Sequence, residues 1–290
     1  MSAEPLPFRA AGEPPFMAEL TAWQGRIRLT GNHRYQVLGD YRRTPDRIPG
    51  KWQYVSGTTG VIPKGQGSVE GLKKWAGNMV ELEAVRRMNE QWDGLEHPAN
   101  VLVGCGGAHR DALKRLSAEG NAMHSLFERE FRIMLGEKPE PLEATDHQLM
   151  VLSMFRRWCR EHHVHPLAVE AKVYNPVTDN AGMLDILCLS DFSPVVPEVW
   201  DYKRNAIASA GDATIYPDRK LQNISYRMGL QAMLGLPAPF AGRLIYYPGE
   251  GADLPIIEKA VDGDPVRLAA AFTAALSLYR LMAEDAKESA

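Results

Sequence analysis

The stretch VWDYKRN, Val199 to Asn205, opens like a buried strand yet places Asp201 and Lys203 two residues apart, so both side chains leave the same strand face. Upstream, the run AGMLDILCLS carries a second carboxylate, Asp185, among apolar neighbours. Carboxylates on neighbouring strands, with an ammonium beside one of them, suit the hydrolysis of a phosphodiester. That reaction needs a nucleophilic hydroxide and a sink for charge on the phosphate, and one or two Mg²⁺ ions supply both. Mg²⁺ takes oxygen ligands in near-octahedral geometry, so Asp185, Asp201 and the main-chain carbonyl of Tyr202 form a candidate cradle. Lys203 would then point at the attacking water or the scissile phosphate. The plainer reading of the same residues is a structural ion pair at a sheet edge. Gly182, three before Asp185, leaves room for backbone or substrate to come close.

Helical spacing adds further candidates. His124 and Glu128 are four apart and share one helical face, as do Gln222 and Tyr226 downstream. An imidazole can complete a metal shell, while an amide and a phenol can bind phosphate or a base. Arg219, Lys220 and Arg227 surround the second pair and form a candidate phosphate-binding edge. Glu170, in LAVEAKVYN, lies in a strand entering the site, where contact with metal or water is the alternative to the favoured reading as an ordinary strand residue; the histidines of EHHVHP read as a polar helix terminus rather than a metal cluster.

These residues need elements to hold them. The first 20 residues, rich in Pro and Ala, read as a loose arm. GRIRLTGNHRYQVLG reads as a β-hairpin about Gly31-Asn32, and WQYVSGTTGVI as a strand followed by a loop. From Ser68 to Trp92, Leu72, Trp75, Met79, Leu82 and Val85 recur at helical spacing and predict a long amphipathic helix. A second helix is predicted from His109 to Leu135, with Leu116, Met123, Phe127, Phe131 and Met134 inward, and a third from Thr145, where TDHQ offers a capping box. Then the period changes: LAVEAKVYN, GMLDILCLS and EVWDYKR are successive strands, followed by a helix over Leu221 to Leu234. GRLIYYP and LPIIEKA are two more strands, and Pro265 opens a closing helix. The order predicts an α/β (α+β) fold, a mixed central sheet flanked by helices. It divides the chain into an arm (1–20), an N-terminal hairpin and helical elaboration (21–105) and a core (106–290).

The chain has 290 residues, 45% apolar, with a net charge of −3, so a basic face for nucleic acid would have to be local. Cys105, Cys159 and Cys188 are scattered without C-x-x-C spacing, which argues against a disulfide framework or a thiolate metal cage. No signal peptide and no long unbroken apolar run stands out, which predicts a cytoplasmic protein without membrane contact.

Four motifs in order, the helical His of GNAMHSLFERE, G-x-x-D in AGMLDILCLS, D-x-K in VWDYKRN and Q-x-x-x-Y in LQNISYRMG, resemble the RecB-type branch of the PD-(D/E)XK nuclease superfamily. The resemblance implies a restriction-endonuclease-like core. Position by position it implies His124, Asp185 and Asp201 as metal ligands, Lys203 as the catalytic lysine with Glu128 beside this set, and Gln222 and Tyr226 on the substrate side. Further upstream, YVSGTTGVIPKG and the Trp75-containing helix are similar to exonucleases of phages and prophages grouped with the CRISPR-associated adaptation nucleases. The similarity covers most of residues 50 to 235. It implies a Mg²⁺- or Mn²⁺-dependent deoxyribonuclease acting on linear DNA ends in recombination or processing, and leaves open single- versus double-stranded DNA, a homo-oligomer and a recombination partner protein. The iron-sulphur members hold their cluster with four cysteines; with three here, no cluster is expected. The alternatives are a structure-specific endonuclease on the same core and a DNA-binding module without catalysis.

Overall fold

The structure is a computed structural model that describes residues 14–65, 69–92, 97–205, 215–236, 240–250 and 254–288. Its elements run α1 (Met17–Gln24), β1 (Ile27–Leu29), β2 (Tyr35–Leu38), β3 (Trp52–Gly57), α2 (Thr58–Gly65), α3 (Val69–Gln91), α4 (Pro98–Val101) and α5 (Ala108–Met134). They continue with α6 (Asp146–Glu161), β4 (His165–Asn175), β5 (Asn180–Ser190), β6 (Ser193–Asn205), α7 (Pro217–Leu234), β7 (Ala241–Pro248), β8 (Ile257–Ala260) and α8 (Pro265–Glu288). Residues up to Gly65 together with those from His124 on form one compact unit, and Gln66–Met123 a second. This partition differs from the division at residues 20 and 105 that the sequence suggested.

In the larger unit the β-strands make one mixed eight-stranded sheet in the order β1-β2-β3-β5-β6-β7-β8, with β4 along the other edge of β5. The β1/β2 hairpin pairs Ile27 with Val37 and Leu29 with Tyr35, as the turn signal at Gly31-Asn32 required. β3 joins β5 in parallel through Ser56 and Gly57 only, opposite Asn180 and Ala181, while β6 pairs antiparallel with β5 from Ile186 onward. Along that edge of β5, residues 182–185 therefore lie at a fork between two departing strands. β6 then runs parallel to β7 from Glu198 to Asn205.

The core explains why the fork is firm. Leu184, Leu187, Val173 and Val199 are buried with Tyr226 and Leu230 of α7. Aromatic rings fill the region around Tyr202: Phe127 and Phe155 have centroids 4.2 Å apart, and Phe127 lies 5.2 Å from the Tyr202 ring. Full burial of such a side chain is worth about 1.5–3 kcal/mol. Thr145 caps α6 with the expected capping box to Gln148, a feature worth about 1 kcal/mol.

Four expectations need correction. Met17–Leu20 is not loose arm: α1 buries Met17, Leu20 and Trp23, and the Trp23 indole donates to the Met233 carbonyl; residues 1–13 lie outside the described residues. The segment after β3 is helix α2 rather than loop, because Val61 and Ile62 gain burial against Leu221, Ile224, Phe272 and Leu276. α3 and α5 form as expected, but the stripes expected to face inward leave Leu82 and Val85 of α3 and Met134, at the end of α5, exposed. Lastly, Pro265–Glu284 of α8 reaches the length and mean hydropathy, 1.3, of a membrane span, on those two criteria alone among the described residues. It also spends Phe272 and Leu276 on the core.

Candidate active site

The site begins with Asp185 at the fork. Its Oδ2 accepts a hydrogen bond from the Tyr202 main-chain N–H at 2.8 Å, so one strand's carboxylate ties down the other strand just where ordinary pairing has stopped. The Tyr202 side chain points into the aromatic cluster and fixes that backbone, and the Tyr202 carbonyl is 3.2 Å from His124 Nε2. His124 Nδ1 is in turn 3.6 Å from Asp185 Oδ2. His124 owes its place to α5, where Phe127 and Phe131, one and two turns on, are fully buried. Asp201 is 2% exposed, and Lys203 Nζ lies 2.5 Å from Asp201 Oδ2. The spacing seen in the sequence has thus become a close ion pair beside Asp185.

Electrostatics confirm that these groups feel one another. Burial first, and then the charge of Asp201, raise the Asp185 carboxyl well above the usual carboxylate range. Burial opposes the Lys203 ammonium, but Asp201 and Asp185 outweigh it and its pKa is raised. Burial lowers the His124 pKa, which favours the neutral imidazole.

The remaining candidates divide. On α7, Gln222 Nε2 donates to the Tyr226 hydroxyl at 2.9 Å. Tyr226 is buried over Gly182, where a Cβ would collide with its ring; the glycine is required by this close approach. The charges of Asp201 and Asp185 act on Tyr226, whose pKa burial raises, so the Gln222–Tyr226 pair stands at the fork. Arg219 donates to the Tyr246 hydroxyl at 3.2 Å, and Tyr246 is the register partner of Lys203 on β7. Lys220 is ion-paired with Asp262 at 2.6 Å, and Glu128 with Arg132 at 2.8 Å. Arg227 does not belong to a phosphate-binding edge: it is buried and donates to the Phe240 carbonyl. His163 pairs with Asp191 at 2.7 Å and His162 packs between Trp158 and Phe192, so neither joins the site.

Glu170 is the residue the sequence undervalued. Its neighbours Val169 and Ala171 pair with Ile186 and Leu184, which sets Glu170 across from Asp185, with a backbone φ of +47° that non-glycine residues seldom adopt. Burial, helped by the charge of Glu128, pushes its carboxyl up to about 7. An acid within an otherwise apolar strand opposite G-x-x-D was the available signal. A buried polar triad was also missed: Thr58 Oγ1 lies 2.8 Å from Ser225 Oγ and donates to the Ala181 carbonyl, and Asn180 donates to both hydroxyls. It joins α2, β5 and α7 immediately before Gly182.

Among the described residues, no three His, Cys, Asp or Glu side chains already surround one point as a ligand cage. Side-chain donors at the fork include the carboxylates of Asp185 and Asp201 and the His124 imidazole, with Glu170 across the strand from Asp185, and the Tyr202 carbonyl adds a main-chain oxygen. Asp201 Oδ2, despite its charge contact with Lys203, has no hydrogen bond of ordinary geometry among the described residues. All three cysteines are buried free thiols. Comparison with protein-family models and with curated proteins found no match in either case.

Proposed function

We propose that this chain is a Mg²⁺- or Mn²⁺-dependent deoxyribonuclease that hydrolyses phosphodiester bonds at DNA ends, on a restriction-endonuclease-like core. The observation that carries the reading is the gathering of Asp185, Asp201, Lys203, His124 and the Tyr202 carbonyl where β6 leaves β5. Two buried carboxylates this close repel each other, and one of them has an oxygen without a well-formed hydrogen bond. Such a set fits a hard divalent cation, which takes oxygen ligands and here one neutral imidazole. Asp185, Asp201, the Tyr202 carbonyl and His124 would hold it. When bound, the metal supplies a hydroxide near neutral pH and charge for the phosphate to lean on.

The chain's own residues do the rest. Asp185 holds the Tyr202 amide and thereby fixes the Tyr202 carbonyl. Burial keeps His124 unprotonated and able to donate its lone pair. The Lys203 ammonium, raised in pKa and therefore charged at neutral pH, stabilises negative charge developing on the phosphate and orients the attacking water. Arg219, linked to Tyr246 beside Lys203, adds positive potential on the substrate side. The motif order described above agrees with this assignment.

The test compares labelled linear DNA with covalently closed circles, with and without Mg²⁺ or Mn²⁺. The linear form alone should be degraded, only with metal, and Asp201→Asn should abolish degradation while the thermal transition is retained. Cutting of closed circles would assign an endonuclease instead. Equal degradation by wild type and Asp201→Asn would overturn the reading.

A further inference from the structure

The hairpin lobe carries a feature that the site does not use. Residues 25–57 contain six arginines and one lysine against two aspartates, a net +5 within a chain whose total is −3. Not all of this charge is available: Arg42 is held by Asp179 and Arg26 by Glu19. Of the rest, Arg28 lies in β1 and Arg34 immediately before β2. Ile27, Tyr35 and Val37 face the core. On the alternate face, registers Arg28↔Gln36, Gln36↔Tyr54 and Leu38↔Trp52 align Arg28, Tyr54 and Trp52, with Arg34 one residue before β2; Gln36 itself is buried and its amide oxygen accepts from Arg28 Nε at 2.6 Å.

On this outer face the arginines lie against rings. The Arg28 guanidinium is 4.5 Å from the Trp52 ring centroid and that of Arg34 is 4.0 Å from the Tyr54 ring centroid. Tyr54 is 48% exposed. No Asp or Glu occurs in β1, β2 or β3. Beside Arg34 and Tyr54 a pocket of about 590 Å³ continues past Ser56 and Thr59 to Arg280, and its two acids are Asp179, held by Arg42, and Glu284.

We propose that the outer face of β1–β3 binds single-stranded DNA, with bases stacked on the Arg28/Trp52 and Arg34/Tyr54 pairs and phosphates held by the guanidinium edges. An arginine lying over a ring offers a second flat surface for stacking and N–H groups for phosphate at once. Only an unpaired strand can present its base faces to such a surface; a duplex offers phosphates and groove edges. The lobe is joined to the candidate active site through β3, whose last residues pair with Asn180 and Ala181, a few residues before Asp185. The face spans roughly 17 Å along β3 at the usual rise per residue. The proposal names the form of the substrate for the nuclease reading above and rests on it for the choice of DNA as occupant.

The experiment uses the full chain carrying Asp201→Asn, in EDTA, and a fluorescein-labelled oligothymidylate of about 15 nucleotides, with a duplex of equal length as control. Anisotropy should show the single strand bound more tightly than the duplex. Trp52→Ala and Tyr54→Ala should each weaken single-strand binding by about tenfold, the usual effect of removing a stacking ring. Arg34→Ala should reduce the salt dependence by about one unit of slope, and Tyr54→Phe should bind as before. Unchanged binding in both ring variants would overturn the proposal. So would a preference for duplex that depends on the arginines and not on the rings. Metal-dependent cleavage is assayed separately with the otherwise native chain. Cleavage with ring-independent binding removes this surface and leaves the nuclease reading; ring-dependent binding without cleavage under any metal does the reverse.

Discussion

Lys203 is where attraction and chemistry can be separated. A group that only anchors phosphate would, on Lys203→Ala, lose affinity in a salt-dependent way and leave cleavage at saturating DNA unchanged. A group acting in the transition state should cost about two orders of magnitude or more at saturation. The ion pair with Asp201 at 2.5 Å, next to Asp185, places the ammonium with the carboxylates rather than at a rim, so the second outcome is expected in single-turnover assays. Lys203→Arg should not restore it, because a planar, longer guanidinium cannot occupy the place of a compact ammonium. Glu170 gives a second prediction, independent of activity. Its carboxyl sits at about 7 in the folded protein and near the ordinary value when unfolded, so the folded state holds the proton more tightly. Stability from this group is therefore lost as pH rises between those two values, and the penalty is complete above about 7. Glu170→Gln should raise stability by about 1–3 kcal/mol at pH 8, and the gain should shrink toward pH 5, as denaturant titrations in EDTA would read. A pH-independent change would mean that ionisation of the Glu170 carboxyl is not what costs stability at this position. Of the site residues, Asp185, Asp201 and Lys203 were legible from sequence because charge in an apolar strand is conspicuous. Glu170 was weighed for contact with metal or water but ranked below an ordinary strand residue, because its significance depends on which strand lies opposite, and register is not written locally.

Elements fail or succeed for similar reasons. β4, β5 and β6, α6 with its cap and α7 could all be read from period and punctuation, since each matches its own local pattern. α2 could not: Thr58-Thr59-Gly60 has weak helical preference, and the segment is helical because Val61 and Ile62 fill a gap against α7 and α8. The parallel insertion of β3 beside β5 was also unreadable, since it rests on Ser56 and Gly57 alone. The fork nevertheless has a local signature in Gly182. Gly182→Ala should push the Tyr226 ring from its seat and destabilise the chain by about 1–3 kcal/mol, the usual cost of overpacking. Because α7 also carries Gln222 and Arg219, cleavage should fall further than stability. Combining Gly182→Ala with Tyr226→Leu, which removes the colliding ring edge, should recover much of the stability. Additive losses in the double variant would show that the ring is not what the new methyl meets.

At the scale of the whole molecule, the gathered charges make the site a cost until something neutralises them. Asp185 has its pKa raised by burial and by Asp201, so its ionised form lowers stability above the ordinary carboxylate pKa, and the loss grows as pH rises toward the raised value. Removing that charge should therefore help the metal-free protein. Asp185→Asn keeps an oxygen to accept the Tyr202 N–H and should raise the metal-free transition by a few degrees at pH 8, on the order of 1 kcal/mol. A divalent cation reverses the balance, since any ligand that binds only the folded state stabilises it by mass action, about 2.7 kcal/mol at one hundred times its Kd. For a chain of this size that is about 5 °C or more. Wild type should thus gain strongly from Mn²⁺, His124→Ala less, and Asp185→Asn scarcely at all. The two melting curves, wild type below Asp185→Asn in EDTA, should cross as Mn²⁺ is raised. A crossing is hard to obtain from surface ion binding, which would shift both proteins alike. Parallel shifts would place the metal elsewhere on the chain, and a wild type that stands above Asp185→Asn in EDTA would show that Lys203 already neutralises the pair, leaving no charge deficit for a cation to fill.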